Sequence, residues 1–386
     1  MSEYDLADAL RMSEKKQKDF DLSSYLKDLE KAVNIDSGHG CESARKVALF
    51  LQKKFDSLGL KTEIKGKSPI LLAGNHPKSK KIDVLFLAHM DTVFPEGEAK
   101  ERPFSIGKDG LVHGPGCSDC KGGCISLYYL IAEMKKAGEL NFNFQIVMNS
   151  DEERQSVESR ETIQTYAEKS TYCFVFEPGR PKQEYVTRRK GGDNYKIRCR
   201  GISVHSGIEP EKGASAILEL SRQVDDLYRK LFLPEKGLII NVGSFNGGSS
   251  SGEVPGYAEF SLSMRGNTPK QIEKARKYIL DMPSRLFDER CSIEIETIAS
   301  RPPLVLNEKA KELLSIMRKV GKEMGYPILT LSTGGGSDGN FAAPYCAVID
   351  GCGPAGGNLH TKDEYLIPDT VGTRIEIIRK TLNRLF

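Results

Sequence analysis

The fold class is decided by one stretch of the chain, Val84-Leu85-Phe86-Leu87-Ala88-His89-Met90-Asp91. The residues before His89 are all apolar, which is typical of a central parallel strand that is covered on both faces. The segments 144–148, 173–176 and 347–349 repeat this signature, and helical periodicity lies between such segments, most clearly over 122–137. Because strands and helices alternate, the sequence predicts an α/β fold with a mainly parallel sheet.

The rhythm changes between about residues 190 and 300. The predicted order there is strand, helix, two strands, helix and strand, and the second helix is predicted over 269–287. This βαββαβ order is typical of a unit that closes as a small domain of its own. A chain of 386 residues is also longer than one hydrophobic core usually supports. We therefore predict a catalytic domain in two parts, 1–188 and 302–386, with an inserted domain at 189–301.

The overall composition excludes several classes of protein. Hydrophobic residues at 39% and charged residues at 28% are those of an ordinary globular protein. The net charge of +3 comes without a long basic run, so no nucleic acid partner is expected. No apolar segment is long enough to cross a bilayer, and residues 1–21 are highly charged where a secretory signal would be apolar. We expect a cytoplasmic protein with no membrane partner.

The nine cysteines are an odd number and accompany no export signal, so we expect reduced thiols instead of a disulfide framework. Cys117, Cys120 and Cys124 lie close enough in sequence to suggest a structural zinc site. Such sites usually take four ligands in two clusters, and no second thiol pair lies nearby. We therefore interpret these three as ordinary thiols that hold no structural metal.

Polar side chains follow the predicted strands at the points where the strands end, which is where open α/β sheets bind their ligands. Gathering so many like charges is costly unless a cation neutralises them. Imidazole nitrogen and carboxylate oxygen are ligands of zinc, and one carboxylate can bridge two ions about 3.5–4 Å apart. The sequence therefore predicts a site for two divalent metals. The residues concerned are His89, Asp91, Asp119, Asp151, Glu152, Glu153, Glu177 and His360.

Six short motifs follow one another along the chain: His89-Met90-Asp91-Thr92-Val93, Gly114-Pro115-Gly116-Cys117-Ser118-Asp119-Cys120-Lys121-Gly122-Gly123, Asp151-Glu152-Glu153, Glu177-Pro178, Gly201-Ile202-Ser203-Val204-His205-Ser206-Gly207 and Gly356-Gly357-Asn358-Leu359-His360. Together they resemble the dinuclear zinc exopeptidases, the family of bacterial glutamate carboxypeptidase, acetylornithine deacetylase and succinyl-diaminopimelate desuccinylase. The likeness is nearest to the glutamate carboxypeptidase branch. It implies hydrolysis of an amide or peptide bond adjacent to a free carboxylate, with deacylation of N-acyl amino acids as the alternative.

The resemblance also implies roles for individual residues. Glu152 would be the general base, which takes a proton from the attacking water and returns it to the leaving nitrogen. Asp91 would hold the His89 imidazole in the tautomer that leaves its other nitrogen free for metal. Asp119 would bridge two Zn²⁺ ions per subunit, for which Co²⁺ or Mn²⁺ could substitute. The implied metal ligands are His89, Asp119, Glu153, Glu177 and His360.

The inserted domain would serve as a dimerisation and lid domain under the same resemblance. His205 would reach the active site of a neighbouring subunit and stabilise the oxyanion, so a homodimer is implied. Arg265 would clamp the free carboxylate of a small peptide or N-acyl amino acid, since a guanidinium binds a carboxylate through two hydrogen bonds. Backbone N–H groups of a glycine loop would assist it. The residues of this loop are Gly334, Gly335 and Gly336.

One departure from the family pattern limits this interpretation, and two alternative functions compete with it. The family usually has an Asn ahead of the strand that ends in Arg265, and Gly252 stands there instead, which leaves the acyl group and the preferred C-terminal residue open. The pattern 334–339 formally matches a dinucleotide-binding motif, but too little chain follows it for an NAD-dependent oxidoreductase. An inactive binding homologue is disfavoured because the implied metal ligands and Glu152 are all present.

Overall fold

The computed structural model describes residues 20–38, 42–76 and 79–386. Most of the charged segment 1–21, which led to the prediction of a cytoplasmic protein, lies outside these residues, as does Cys41. The chain separates into two compact units. The first unit comprises the chain up to Arg188, Leu306–Thr333 and Ser337–Phe386, and the second unit comprises Arg189–Val305 and Gly334–Gly336.

The chain before the second unit forms alternating strands and helices, as the apolar segments predicted. These elements are α1 (Leu22–Val33), α2 (Ala44–Ser57), β1 (Lys61–Lys65), β2 (Ile70–Gly74), β3 (Ile82–His89), α3 (Glu98–Glu101), β4 (Ser105–Ile106), β5 (Val112–His113), α4 (Lys121–Ala137), β6 (Phe144–Asn149), α5 (Arg160–Ala167), β7 (Ser170–Val175) and β8 (Tyr185–Arg189). A 3₁₀ turn at Glu152–Arg154 follows β6.

The second unit is a four-stranded antiparallel sheet with two long helices. Its elements are β9 (Gly191–Arg200), α6 (Ala216–Leu231), β10 (Ile239–Gly247), β11 (Tyr257–Gly266), α7 (Pro269–Leu280), β12 (Ser292–Arg301) and β13 (Leu304–Val305). The sheet has the order β10-β11-β9-β12. Burial alternates residue by residue along β9, because one face packs on the helices and the other does not.

The prediction of a helix over 269–287 is wrong at its C-terminal end. Helix α7 ends at Leu280, and a separate 3₁₀ turn, Met282–Ser284, follows it. Pro283 lies inside that turn, and a proline has no N–H for the next helical hydrogen bond.

The first unit is completed by the C-terminal part of the chain. Its elements are α8 (Glu308–Glu323), β14 (Thr330–Thr333), α9 (Gly339–Ala342), β15 (Ala347–Ile349), β16 (Gly356–Gly357), β17 (Tyr365–Leu366) and α10 (Val371–Leu385). The main sheet has the order β1-β2-β6-β3-β7-β15. Strands β6, β3, β7 and β15 run parallel, whereas β1 and β2 pair antiparallel at one edge. The α/β prediction is confirmed as a mixed sheet with a parallel centre.

Phe86 of β3 occupies the middle of the first unit's core. Its ring centroid lies 6.0 Å from that of Phe144, 6.1 Å from that of Phe174 and 6.2 Å from that of Phe176. Aromatic contacts of this kind add to the hydrophobic effect, so Phe86→Ala is expected to cost about 3–5 kcal/mol of unfolding free energy. Packing of these rings fixes the relative positions of β3, β6 and β7.

The register of the parallel strands brings their polar ends to one edge of the sheet. Strands β3 and β6 pair His89 with Asn149, and β3 and β7 pair Leu87 with Val175. Glu177 lies two residues beyond Val175, as His89 lies two residues beyond Leu87. The sheet therefore places this histidine and this carboxylate at the same level.

None of the helices among the described residues is long and apolar enough to cross a membrane.

Candidate metal-binding active site

Asp119 lies at the centre of the polar strand ends, in the loop just before α4. Helix α4 approaches the end of β7 so closely that a Cβ atom at Gly123 would lie 1.9 Å from the Phe176 carbonyl oxygen, which explains the glycine. Asp119 Oδ1 is 3.0 Å from His89 Nε2, and Asp119 Oδ2 is 3.2 Å from His360 Nε2. One buried carboxylate thus faces two imidazoles through its two oxygens, as a bridging ligand must.

A further carboxylate flanks each of the two imidazoles. Glu177 Oε1 lies 3.5 Å from His89 Nε2, and Glu153 Oε1 lies 3.2 Å from His360 Nε2. The residues that the resemblance implied as metal ligands therefore come together in the first unit as two adjacent sets. Two of the groups whose potential ligand atoms all lie within 4.8 Å of one another are His89 with Glu152 and Glu177, and Asp119 with Glu153 and His360.

Asp91 orients the residues around it. Its Oδ1 atom lies 3.3 Å and its backbone oxygen 3.2 Å from His89 Nδ1, so in the neutral ring Nδ1 carries the proton and Nε2 keeps its lone pair. The backbone N–H groups of Glu152 and Glu153 donate to the Asp91 carboxylate at 3.3 and 3.0 Å. The same carboxylate therefore holds the His89 ring and the turn that bears the predicted base.

The clustered charges shift the pKa values of the imidazoles. Burial acts to lower the pKa of His89, but its neighbours, Cys120 and Asp119 foremost, raise it well above its usual range. Hydrogen bonds to Asp119 and Glu153 raise the pKa of His360 to about 10. Burial acts to raise the pKa of Asp119, but its hydrogen bonds to the two imidazoles lower it. The cluster therefore favours positive charge between its carboxylates.

The donor set fits a pair of zinc ions. Imidazole nitrogen and carboxylate oxygen are ligand types that zinc takes, and a buried excess of carboxylates is stabilised by dications. His89 and Glu177 could hold one ion, and Glu153 and His360 the other, with Asp119 shared between them.

The cysteines near Asp119 form no thiol cluster of their own. Within the described ranges, the one cysteine in a potential metal-binding group is Cys120, which is grouped with His89 and Asp119. Its thiol donates to the Phe176 carbonyl oxygen at 3.0 Å, and the Cys124 thiol donates to the His89 carbonyl oxygen at 3.0 Å. These thiols therefore tie α4 to the ends of β7 and β3.

Glu364 belongs to the site although the sequence analysis missed it. The side chain is 1% exposed, and its carboxylate accepts the N–H groups of Gly116 at 3.0 Å, Ser118 at 2.8 Å and Asp119 at 2.8 Å. Burial and the nearby Asp119 carboxylate raise the pKa of Glu364 to about 7. No local signal marks this residue, because the Asp119 N–H that it binds lies 245 residues earlier in the chain.

Asp338 was also missed, although it stands inside the glycine pattern 334–339. It is buried, and its carboxylate accepts hydrogen bonds from Asn149 Nδ2 at 2.8 Å and from the Ser156 hydroxyl. Asn149 ends β6, and Ser156 follows the turn that bears Glu152. Asp338 therefore anchors that turn to the sheet. The signal was available in the motif, but only its glycines were interpreted.

His205 lies on an exposed loop of the second unit. The Gly207 N–H donates to His205 Nδ1 at 3.1 Å, so the neutral ring carries its proton on Nε2 and presents an N–H donor there. The loop is held by the Ser206 N–H, which donates to the Gly252 carbonyl oxygen at 3.0 Å, and by a bridge between His205 and Glu253. The stretch that departs from the family pattern thus supports the His205 loop.

Arg265 is exposed near the end of β11, and its Nη1 atom donates to the Gly334 carbonyl oxygen at 3.2 Å. Buried Arg189 donates through Nη1 to the carbonyl oxygens of Gly335 at 3.3 Å and Gly336 at 3.0 Å. Two guanidinium groups therefore support the glycine loop from its carbonyl side, whereas the resemblance assigned a role to its N–H groups.

Positive charge is concentrated beside this loop. Burial and the neighbouring Arg265 lower the pKa of Lys190. Arg188, Arg189 and Lys190 form a short basic run in the sequence, of which Arg189 and Lys190 belong to the second unit, and this run was the sequence signal that could have found Arg189. The glycine loop precedes α9, whose four residues are too few for the helix that receives a dinucleotide pyrophosphate.

The sequence has clear relatives among known proteins. A family model described as Peptidase family M20/M25/M40 matches residues 85–384. Carboxypeptidase G2 of Pseudomonas sp. (strain RS-16) is 28% identical over 365 residues, which cover 91% of this chain and 87% of that protein. Succinyl-diaminopimelate desuccinylase of Verminephrobacter eiseniae (strain EF01-2) is 24% identical over 321 residues, which cover 78% of each protein.

Solved structures with the same fold are also found. Aminopeptidase PepT from Bacillus cereus has a TM-score of 0.74 at 19% identity, with 95% of this chain and 99% of that chain covered. An M20 family metallo-carboxypeptidase from Sulfolobus solfataricus has a TM-score of 0.70 at 17% identity, with 93% and 98% covered. The resemblance and the prediction of a zinc peptidase or amidohydrolase are confirmed. The chain belongs to Peptidase family M20/M25/M40.

Proposed function

We propose that this enzyme uses two zinc ions per subunit to hydrolyse an amide or peptide bond next to a free carboxylate, as a glutamate-carboxypeptidase-like exopeptidase. The observation that carries the proposal is the position of Asp119, whose two oxygens lie 3.0 Å from His89 Nε2 and 3.2 Å from His360 Nε2. When bound, the two cations would acidify a water molecule and polarise the scissile carbonyl.

Glu152 is the residue to which we assign proton transfer. Its side chain is 8% exposed, and its carboxylate lies in one group with His89 and Glu177. Its backbone N–H donates to Asp91 Oδ1 at 3.3 Å, and this hydrogen bond would hold the turn in place during proton transfer by the side chain. Glu152 would accept the proton of the attacking water and deliver it to the leaving nitrogen.

Recognition of the free carboxylate is assigned to the second unit. Arg265 presents a guanidinium beside the glycine loop, and Lys190 and Arg189 add positive charge nearby. A guanidinium binds a carboxylate through two parallel hydrogen bonds, so a substrate without that group would leave the pocket's donors unpaired. The enzyme should therefore act at the C-terminal residue of its substrate.

The test combines metal analysis with matched substrates. Protein purified without chelator should contain more than one equivalent of zinc per chain. Dipeptides with a free C-terminal carboxylate should be cleaved with a kcat/KM roughly a hundredfold or more above that of the same dipeptides carrying a C-terminal amide. Chelator-treated protein, the control, should lose activity and regain it with Zn²⁺, Co²⁺ or Mn²⁺.

Two results would count against the proposal in different ways. Equal cleavage of the free acid and the amide would reduce the assignment to a general amidohydrolase with no carboxylate clamp. A zinc content near zero, with no activity after reconstitution, would remove the two-metal site.

Deacylation of N-acyl amino acids is the second candidate. The match to the desuccinylase of Verminephrobacter eiseniae covers 78% of this chain, and the sequence leaves the acyl side of the substrate open. N-acetyl and N-succinyl amino acids assayed beside dipeptides on the zinc-loaded protein separate the two candidates. A kcat/KM that is highest for an acyl amino acid would favour the deacylase.

We also propose a homodimer in which His205 acts on the partner's active site. The ring lies on an exposed loop of the second unit and offers its Nε2 proton as a donor. Mixing inactive His205→Ala and Glu152→Gln proteins under conditions that exchange subunits should restore part of the activity, because each protein supplies what the other lacks. Each variant alone is the control, and a monomer with full turnover would refute the assignment.

A cytoplasmic location is part of the same proposal. The eight cysteines among the described residues are all buried and unpaired, which suits a reducing compartment. Cell fractionation with an antibody to the protein would test it, and recovery in the membrane or secreted fraction would contradict it.

A further inference from the structure

The side chain of Glu364, from another part of the first unit, binds the loop that bears Asp119. Glu364 Oε1 accepts the N–H groups of Ser118 and Asp119, both at 2.8 Å, and Glu364 Oε2 accepts the N–H of Gly116 at 3.0 Å. A loop whose backbone N–H groups converge on one anion in this way resembles an anion-binding nest, and here the protein supplies the anion. The Glu364 carboxylate therefore fixes the backbone position from which the Asp119 side chain extends.

Glu364 also belongs to the segment that bears His360. Its own N–H donates to the Thr361 carbonyl oxygen at 3.3 Å, within the turn that follows this histidine. His113 Nδ1 contacts the Glu364 carbonyl oxygen at 3.2 Å and adds a second attachment between these parts of the chain. Glu364 is therefore the physical connection between two loops whose side chains, Asp119 and His360, meet at 3.2 Å.

The side chain is not itself placed to bind metal. Among the described residues, none of the potential metal-binding groups includes Glu364, and its hydrogen bonds run to backbone N–H groups. We infer that Glu364 is a positioning residue of the metal centre, which sets the distance between the bridging carboxylate of Asp119 and the imidazole of His360. This inference rests on the proposed two-metal function.

Two substitutions of Glu364 change its hydrogen bonds to the three backbone N–H groups in different ways. Glu364→Gln keeps one oxygen for Ser118 and Asp119 but turns an NH₂ group towards the Gly116 N–H, where two donors would meet. Glu364→Asp keeps the charge on a shorter side chain that cannot reach all three donors. The matched control is Asp363→Asn, which changes an exposed carboxylate on the adjacent residue of the same loop.

The experiment titrates metal-free protein with Zn²⁺ against a competing chelator and records the visible absorption spectrum of the Co²⁺-loaded protein. Glu364→Gln should bind metal about 10–100-fold more weakly than wild type and show an altered Co²⁺ spectrum, with little change in KM for substrate, because the donors that recognise substrate are untouched. Glu364→Asp should lie between Glu364→Gln and wild type. Asp363→Asn should match wild type.

The outcomes separate this inference from the proposed function. A folded Glu364→Gln protein with wild-type Zn²⁺ affinity and Co²⁺ spectrum would overturn the positioning role. So would loss of the circular dichroism signal of both Glu364 variants in the absence of metal, because Glu364 would then support the fold and not the site. Failure of the wild type itself to bind zinc would instead overturn the proposed function, and the inference with it.

Discussion

His89 in the first unit and His205 in the second unit differ in what their Nδ1 atoms contact: an acceptor in His89 and a donor in His205. His89 Nδ1 lies 3.3 Å from the Asp91 carboxylate, so in the neutral ring that binds metal Nδ1 keeps the proton and Nε2, on the side of Asp119 and Glu177, provides the lone pair. His205 Nδ1 instead accepts the Gly207 N–H at 3.1 Å, so the proton sits on Nε2. His89 is buried, whereas His205 is exposed.

These opposite tautomers suit ligands of opposite charge. A lone pair among buried carboxylates suits a cation, and an exposed N–H donor suits the negative charge that develops on a carbonyl oxygen. The basic residues beside the glycine loop of the second unit agree with this division, since they also favour an anion. Under the proposed function, the first unit would bind cations and the second unit would bind an anionic group.

The largest loss of activity is expected when the proposed base in the first unit is replaced. Glu152→Gln should keep both metals and lower kcat roughly 10³–10⁴-fold, because an amide cannot accept the proton of the attacking water. Metal analysis and steady-state kinetics measure the two effects.

Glu153→Gln is the paired control, since its carboxylate lies 3.2 Å from His360 Nε2. Glu153→Gln should weaken the binding of one metal, and excess Zn²⁺ should partly restore its activity. Near-normal turnover in Glu152→Gln would show that the two adjacent glutamates have been assigned the wrong roles.

Removing the donor of the second unit should have the next largest effect. His205→Ala should lower kcat by roughly 10²–10³-fold, the usual cost of losing one oxyanion donor. His205→Gln should recover part of this loss, because its side-chain amide still offers an N–H group. Equal kcat values for the Ala and Gln variants would contradict a donor role, and circular dichroism would check that both are folded.

Arg265 tests whether the second unit recognises the substrate's carboxylate. Arg265→Ala should remove most of the roughly hundredfold preference for free-acid over amidated substrates, and Arg265→Lys should restore only part, because an ammonium keeps the charge but loses the two-pronged geometry. The preference is measured as a ratio of kcat/KM values, so a general loss of active protein cancels. An unchanged ratio in Arg265→Ala would make this arginine a support of the glycine loop alone.

The smallest predicted effect concerns protons. The raised pKa values of His89 and His360, the latter about 10, mean that both imidazoles are protonated in the metal-free protein near neutral pH. Metal binding needs the neutral rings, so it should release roughly two protons per chain, and apparent Zn²⁺ affinity should rise as pH rises towards the pKa of His360.

Calorimetry in buffers of different ionisation enthalpy counts these protons. His205→Ala should release the same number as wild type, because His205 lies in the second unit and is not a proposed ligand. If metal binding released no protons near neutral pH, the raised pKa values would be contradicted. If His205→Ala changed the number of protons released, His205 would be linked to the metal site and the separate roles proposed for the two units would be wrong.

The predictable part of the fold is the part with a strong local pattern. The uniformly apolar run before His89 predicted β3, and its repeats predicted β6, β7 and β15. Strands β1 and β2 were not predicted, and they form the antiparallel edge that makes the sheet mixed. Pairing direction depends on where the chain returns in space, which a window of a few residues does not contain.

The candidate site divides in the same way. Residue types at strand ends pointed to His89, Glu153 and Glu177, because the carboxyl ends of parallel strands share an edge. Glu364 and Asp338 were missed, since their partners are backbone and side-chain groups distant in sequence. Their roles appear only when the loops are brought together.

The α/β class could be predicted from the sequence because it follows from local periodicity, and the candidate ligands and base could be named because the motifs resemble those of a known family. Three properties of the site depend on the folded chain: which oxygen of Asp119 faces which imidazole, the contacts of Asp91 with both His89 and the turn bearing Glu152, and which ring nitrogen of His89 and of His205 is left available. Those properties depend on distances of about 3 Å between groups far apart in the chain, and such distances are set by strand register and loop packing.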